Sequence, residues 1–154
     1  MKSISQEQAL HRLAAYCSRG ERCISDIRKK MIQWDLPENS QKIILNKLQQ
    51  EKFLDEKRFC KAFVNDKIKY NKWGSLKIKY ELKKKNIPEP IINDILSEVN
   101  LKEIKEQLSL LLLSKRKTVK GKNNYEIKQK LIRFAVGRGY TLEDIQNALS
   151  LLEK

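Results

Sequence analysis

Leu54-Asp55-Glu56-Lys57-Arg58-Phe59 begins the stretch that decides the fold, because the pattern that follows it recurs on both sides. Between Phe53 and Leu96 the chain reads as a helix, a break at Trp73-Gly74, a second helix, a terminator at Asn86 and a third helix. Apolar residues three or four positions apart, bounded by such breaks, predict short amphipathic helices. The stretch therefore predicts one three-helix unit.

The same order of helices and breaks appears when the chain is shifted by about 51 residues backwards or about 53 residues forwards. The apolar anchors that coincide are Ile78, Leu82 and Ile87 in the middle copy, Ile27, Met31 and Leu36 in the first copy, and Leu131, Ala135 and Tyr140 in the third. At each junction a helix-terminating residue (Asn, Gly or, in the first copy, Asp35) precedes an apolar residue that is expected to pack against the last turn of the helix. The sequence thus predicts an all-α protein of three tandem three-helix repeats, at residues 5–52, 53–99 and 100–154.

Several helix starts carry capping residues. Ser5 and Gln8 have the spacing of a capping box, and Asp55 and Thr141 are suited to accept from the free N–H groups of the turn that follows them. Arg58 lies three residues beyond Asp55 and is expected to pair with it on the helix surface. We interpret this pair as structural, because a catalytic role needs a nucleophile, base or metal partner and the sequence offers none nearby.

The charge of the chain favours acidic partners. Lys and Arg number 33 against 19 Asp and Glu, which gives a formal charge of +14 and attracts polyanions or acidic protein surfaces. The basic residues cluster: residues 67–85 hold eight lysines against one glutamate, and residues 115–138 hold nine basic residues against Glu126. A merely solubilising surface is the alternative, but the clustering favours a binding surface.

The candidate binding residues come from these two basic runs. They are Lys72, Trp73, Lys77, Lys83, Lys84, Lys85, Lys115, Arg116, Lys117, Lys120, Lys122, Lys130, Arg133 and Arg138. Two interpretations of Trp73 stay open, a stacking or inserting contact with a partner and a lid over the core. A flexible basic loop with almost nothing to bury is predicted from Lys115 to Asn124, either as a phosphate contact or as a solvated turn. Residues 137–140 read as a helix C-cap rather than a phosphate-binding loop.

Other classes of protein are disfavoured. The three cysteines have no C-x-x-C spacing and His11 is the only histidine, so we expect no zinc site, no cofactor and no catalytic residues. The start of the chain, Met1–Gln6, lacks an apolar segment, and the longest apolar run is Leu110–Leu113. We therefore expect neither export nor membrane insertion, and reduced thiols in the cytoplasm.

The sequence resembles the bacterial RecX regulators over most of its length. The resemblance is carried in order by Leu54-Asp55-Glu56, Arg58-Phe59, Phe63-Val64, Gly74, Ile78, Leu82 and Ile87, and later by Lys130, Arg133-Phe134, Arg138-Gly139-Tyr140, Ile145 and Leu149. It implies three tandem three-helix units in a curved, elongated molecule. Cys60 stands where a small Ala is expected and Asn86 where Gly is expected, and both replacements are compatible with packing and a left-handed cap.

The resemblance also implies a function. A monomer is expected to bind in the groove of the RecA filament on single-stranded DNA and to restrain recombinase ATPase, strand exchange and the SOS response. The family's motif residues look structural, so it assigns no binding residue one by one. Two alternatives stay open, an independent nucleic-acid-binding helical protein and a generic helical scaffold.

Overall fold

The computed structural model describes residues 4–153, and these residues form nine α-helices and no strand. Their bounds are α1 (Gln6–Ser18), α2 (Ile24–Gln33), α3 (Glu38–Gln50), α4 (Glu56–Lys69), α5 (Ser75–Lys84), α6 (Glu89–Ser97), α7 (Leu101–Arg116), α8 (Asn124–Gly137) and α9 (Leu142–Leu152). The predicted all-α fold of repeated three-helix sets is confirmed. Residues 1–3, on which the expected lack of an export signal partly rests, and Lys154 lie outside the described range.

Local capping explains where three of the helices begin. The Ser5 hydroxyl accepts from the Gln8 N–H at 3.1 Å and the Gln8 side chain accepts from the Ser5 N–H, so the predicted capping box is confirmed. The side chain of Asp55 accepts from a backbone N–H in the first turn of α4, and that of Thr141 does the same for α9. Each such cap contributes about 1 kcal/mol to helix stability.

The second helix of each set ends in the same way. A residue in the left-handed region terminates it, and these residues are Asp35 (φ 53°), Asn86 (φ 61°) and Gly139 (φ 96°). The next residue donates its N–H to the carbonyl five positions back, at 3.1 to 3.3 Å, and is buried in all three cases: Leu36, Ile87 and Tyr140. This is the hydrogen-bond pattern of a Schellman end. The predicted junctions are confirmed, including Asn86 as a left-handed cap.

The described residues pack as two units, and the division falls inside α4, α5 and α6. The first unit holds the described residues up to Ala62 together with Leu82–Ile92, and the second holds Phe63–Glu81 with the described residues from Asn93 onward. Fully buried side chains that include Leu13, Ile27, Met31, Ile44 and Leu48 form the first core, and Leu108, Leu112, Leu131, Ala135 and Ile145 belong to the second. The three predicted repeat boundaries stay a prediction.

Two expectations about the third set are wrong. The spacing of Leu101, Ile104, Leu108, Leu111 and Leu112 predicts one buried apolar face, but Leu101 is the first residue of α7 and is 71% exposed. Burial begins with the half-buried Ile104. The basic loop is also shorter than expected, because Lys115 and Arg116 form the last turn of α7. Val119 packs against the second core, so this loop does bury an apolar side chain.

Candidate functional site

The motif at Leu54–Phe59 is a structural element of the first unit. Leu54 is 2% exposed and belongs to the core of that unit. Asp55 caps α4, and the Glu56 carboxylate accepts from the Ile24 N–H at 3.1 Å, which satisfies a free donor at the start of α2. Burial raises the pKa of Glu56, although the bond from Ile24 and the charge of Arg28 oppose the increase.

The guanidinium of Arg58 completes this arrangement, but not with the partner expected from the sequence. Its Nε lies 2.8 Å from both carboxylate oxygens of Glu21, and its Nη2 donates to the carbonyls of Lys52 and Phe53 at 3.0 and 3.3 Å. The expected pairing with Asp55 is wrong, because an oxygen of that carboxylate accepts from the backbone and Glu21 offers Arg58 two oxygens. The charged groups of the motif therefore hold the first unit together.

In the second unit, two loops meet backbone to backbone around a pair of glycines. The Gly74 N–H donates to the Arg138 carbonyl at 2.7 Å, and the Leu76 N–H donates to the Gly139 carbonyl at 3.1 Å. A Cβ at Gly74 would collide with the Gly139 carbonyl, and a Cβ at Gly139 would collide with Lys77. We call this contact, formed by residues 71–76 and 138–140, the glycine clasp.

Two side chains strengthen the clasp. The Tyr140 hydroxyl donates to the Lys72 carbonyl at 2.8 Å, and Nη1 of Arg138 donates to the Asn71 carbonyl at 3.0 Å. Burial raises the pKa of Tyr140 to about 12, against an opposing effect of Arg138, so this hydroxyl stays protonated and remains a donor at neutral pH. The carbonyls of the consecutive residues Asn71 and Lys72 thus both accept hydrogen bonds from side chains of the opposite loop.

A cation–aromatic cluster surrounds Trp73 beside the clasp. The indole is half-buried and meets the ring of Phe63 edge to face, with centroids 6.3 Å apart. The ammonium groups of Lys67 and Lys77 lie 4.9 and 4.7 Å from the indole centroid. These distances are within the range in which a cation is attracted to an aromatic face.

A second cluster of the same kind surrounds Phe134. The ammonium group of Lys115 lies 4.7 Å from the ring centroid, and the guanidinium of Arg138 lies 4.9 Å from it. Arg138 also donates to Asn71, so it belongs to both the cluster and the clasp. The second unit therefore brings together five of the candidate binding residues: Lys72, Trp73, Lys77, Lys115 and Arg138.

The Lys72 carbonyl belongs to the clasp, whereas its ammonium group donates to the side chain of Gln107 at 2.9 Å. The other candidates in the second unit are distributed more widely. The ammonium group of Lys130 donates to the Lys120 carbonyl at 2.6 Å and lies 3.5 Å from Glu126. The remaining candidate side chains of this unit are exposed: Arg116, Lys117, Lys120, Lys122 and Arg133. They lie on or between α7 and α8 and extend the basic surface without a common geometry.

The other three candidates lie in the first unit, near a cleft. Lys83 pairs with Glu89 at 3.6 Å and Lys85 pairs with Asp26 at 3.5 Å. Lys84 and Lys85 line a cleft of about 490 Å³, together with Ile24, Ser25, Asp26, Arg28, Lys29, Ile32, Glu56 and Asn86. This lining mixes cations, carboxylates and exposed apolar surface, which distinguishes it from the cation–aromatic clusters of the second unit.

Models of two consecutive domains of one protein family match the chain. The second three-helix domain of RecX matches residues 55–96, and the third three-helix domain matches residues 103–149. The chain belongs to the RecX family. The first RecX match begins at the Asp55 cap and includes one loop of the clasp, and the second includes the other loop, so the clasp lies between residues of two RecX domains.

Individual RecX proteins agree with this assignment. The chain is 32% identical to the regulatory protein RecX of Halalkalibacterium halodurans over 92% of its own length and 52% of the relative. It is 30% identical to the regulatory protein RecX of Clostridium botulinum strain Eklund 17B, over 80% of this chain and 58% of the relative. The chain thus spans about half the length of the curated relatives it matches, and these relatives are named as regulatory proteins.

Solved RecX structures share the fold. A crystal structure of a regulatory protein RecX superposes with a TM-score of 0.87 at 25% identity, over 94% of this chain and 73% of that one. RecX from Lactobacillus salivarius superposes with a TM-score of 0.85 at 20% identity, over 96% of each chain. The second likeness shows the fold alone.

The described part of the chain contains no cluster of His, Cys, Asp and Glu that could hold a metal ion. Its three cysteines, Cys17, Cys23 and Cys60, are free and buried, and burial raises the pKa of each thiol, that of Cys60 to about 11. Thiols with raised pKa values are poor nucleophiles at neutral pH. Among the described helices, none combines the length and the apolar composition that crossing a lipid bilayer requires.

Sequence reasoning missed the glycine clasp. The sequence predicts a helix break at Gly74 and a helix cap at Gly139, and both predictions describe the local backbone without the contact between the two loops. Three of the four cations do have a sequence signal, because Lys67, Lys77 and Arg138 each follow an aromatic residue of their cluster by four positions. Lys115 has no such signal, since it lies 19 residues before Phe134.

Proposed function

We propose that this protein binds the RecA filament assembled on single-stranded DNA and inhibits the recombinase, without catalysis of its own. The observation that carries the proposal is membership of the RecX family. Inhibition would restrain ATP hydrolysis, strand exchange and the SOS response, and would take place in the cytoplasm. The proposal needs no cofactor and no membrane partner, and it treats the protein as a monomer.

The distribution of charge supports a polyanionic target. A formal charge of +14 attracts both DNA phosphates and acidic protein surfaces over long range. Near the clasp, Lys67, Lys77 and Lys115 lie beside aromatic rings. Basic side chains interleaved with aromatic rings are the combination that proteins use to bind single-stranded nucleic acid. Several weak contacts made by one chain act together, so the affinity for a filament can exceed that of each contact.

The proposal is tested by following ATP hydrolysis by RecA on single-stranded DNA while the protein is added. We expect hydrolysis to fall as the protein concentration rises, and unchanged hydrolysis would refute the proposal. A recombinase-free titration of the same DNA is the control. If the protein binds that DNA as tightly as it binds the filament, and free DNA reverses the inhibition, the alternative of an independent nucleic-acid-binding protein is correct.

The assignment of the site is tested by a pair of matched double variants. Lys77→Gln with Lys115→Gln removes two charges beside the clasp, whereas Lys42→Gln with Lys47→Gln removes two from α3 in the first unit. Gln has a helix propensity close to that of Lys, so both variants should remain folded by circular dichroism. We expect the first variant to inhibit more weakly than the second. Equal inhibition would mean that net charge alone matters.

A further inference from the structure

Tyr70 has the largest exposed fraction among the large apolar side chains that the structure describes, at 74%. It follows the last residue of α4 directly and precedes the first residue of the glycine clasp. A single exposed aromatic ring is ordinary on a protein surface. Tyr70 differs from such a ring in two respects: its backbone is held by hydrogen bonds, and cations lie close to it.

The backbone on both sides of Tyr70 is fixed. Its own N–H donates to the Asp66 carbonyl at 2.8 Å, as in a continuing helix turn. The two carbonyls that follow, of Asn71 and Lys72, accept from the Arg138 guanidinium and the Tyr140 hydroxyl at 3.0 and 2.8 Å. Because the backbone is already held, a ligand that binds the ring has to order only the side chain, so more of the contact energy appears as affinity.

One cation lies beside the Tyr70 ring and a second binds the adjacent residue. The Lys69 ammonium lies 5.8 Å from the Tyr70 ring centroid, and the Arg138 guanidinium binds the carbonyl of the very next residue. Trp73 is less suited to receive a planar ligand, since it is half-buried, contacts Phe63 and has two lysine ammonium groups within 5 Å of its centroid. Of the two rings, Tyr70 therefore offers the more accessible aromatic surface.

We infer that Tyr70 is a stacking platform for one unpaired nucleobase of single-stranded DNA. The phosphates adjacent to that base are held by Lys69 and by Arg138 of the clasp. A nucleobase fits the arrangement because it combines a planar face for the ring with an anionic backbone for the cations. The inference deepens the proposed function, on which it rests for the identity of the nucleic acid. The inference identifies the residue that contacts the bases. A DNA-binding titration without RecA tests this contact separately from filament inhibition.

The inference is tested with two oligothymidine probes of equal length, one normal and one with abasic sites throughout. Three variants are compared with the wild type: Tyr70→Ala, Tyr70→Phe and Tyr125→Ala. Tyr125 is a matched control because it is 72% exposed, belongs to the same unit and lies outside the clasp, in the first turn of α8. Binding is measured by fluorescence anisotropy of the labelled probe at one fixed salt concentration, because phosphate contacts depend on salt.

We expect Tyr70→Ala to weaken binding of normal oligothymidine by about fivefold or more, the size of one lost stacking contact. Tyr70→Phe keeps the ring and should bind like the wild type, as should Tyr125→Ala. The abasic probe should bind the wild type and Tyr70→Ala equally. Equal binding of the normal probe by Tyr70→Ala and wild type would overturn the inference, and so would an equal loss on both probes.

Filament inhibition separates this inference from the proposed function. If Tyr70→Ala loses affinity for normal oligothymidine but the wild type does not inhibit RecA, the stacking role stands and the proposed function fails. If Tyr70→Ala inhibits the filament poorly while it binds both probes normally, the ring contacts the recombinase instead of a base, and the inference is overturned.

Discussion

The motif at Leu54–Phe59 and the glycine clasp use polar groups in different ways. In the first unit, the Glu56 carboxylate accepts from the N–H at the start of α2, and the Arg58 guanidinium binds the Glu21 carboxylate and two backbone carbonyls. In the second unit, the backbone of Gly74 and Gly139 makes the contact, and cations gather on aromatic rings beside it. The comparison shows that the most distinctive sequence motif fastens a unit together, whereas the candidate interface consists of residues that are individually ordinary.

The clasp is most directly broken by Gly74→Ala. The added Cβ would collide with the Gly139 carbonyl, so the two loops must separate and lose the hydrogen bonds between them. We expect the free energy of unfolding to fall by about 3 kcal/mol, the upper part of the range for overpacked sites. Urea denaturation followed by circular dichroism measures the change.

A neighbouring glycine provides the control for that experiment. A Cβ at Gly137 would meet nothing within 4 Å, and this residue ends α8. Gly137→Ala should therefore leave stability unchanged or raise it by up to about 1 kcal/mol, through helix propensity. If Gly74→Ala is as stable as Gly137→Ala, the close contact of the two loops does not exist in solution.

Tyr140→Phe removes one hydrogen bond from the clasp and keeps the ring. The Lys72 carbonyl loses its 2.8 Å donor, and we expect the free energy of unfolding to fall by about 1 kcal/mol at neutral pH. Burial raises the pKa of Tyr140 from 10.0 to about 12. Between these values the unfolded chain has released the proton that the native protein keeps, so wild-type stability falls as pH rises.

The pH dependence sharpens this test. Above pH 10 the stability difference between the wild type and Tyr140→Phe should shrink, because only the wild type has the tyrosine hydroxyl that titrates. Cys60, with its pKa raised from 9.0 to about 11, titrates in both proteins and cancels from the difference. A difference that stays constant from pH 9 to 12 would contradict a buried hydroxyl that donates to the loop.

Glu56→Gln is the mildest change and tests the motif of the first unit. The amide oxygen of Gln can still accept from the Ile24 N–H, so we expect a change of about 1 kcal/mol or less at neutral pH. Burial raises the pKa of Glu56 above 4.5. The native protein then binds more protons than the unfolded chain just above pH 4.5, and the contribution of Glu56 to stability is lost as pH rises.

Relative to Glu56→Gln, the wild type should therefore be more stable at pH 4 than at pH 7, by urea denaturation. Glu38→Gln is the matched control, since Glu38 also begins a helix and is exposed. If Glu56→Gln shows the opposite pH trend, the carboxylate is stabilised in its charged form by Arg28 and the N–H of Ile24, and burial is not the main influence on it.

Local rules account for the parts of the fold that the sequence predicts. Capping by Ser5, Asp55 and Thr141 and the left-handed ends at Asp35 and Asn86 depend only on residues a few positions apart. The RecX resemblance added the order of the units to these local signals. The order of the helices and several of their ends are therefore predictable from the sequence, whereas the end of α7 is not.

Contacts between distant parts of the chain were not predictable in the same way. The sequence predicts that Arg58 pairs with Asp55, because the two are close in sequence, but Glu21 offers two oxygens from another loop. The glycine clasp joins Gly74 to Gly139, and no local pattern indicates that two terminators will touch. The candidate site was therefore predicted as a set of residues, and its geometry came only from the structure.

The glycine clasp has a consequence for how the sequence can vary. Because main-chain atoms alone make the contact at Gly74, a substitution there has no complementary partner substitution at Gly139 that could restore the fit. A randomised library at both positions, selected for folded protein, should return glycine at each of them independently. Covariation between these two sites would then be undetectable, although they touch.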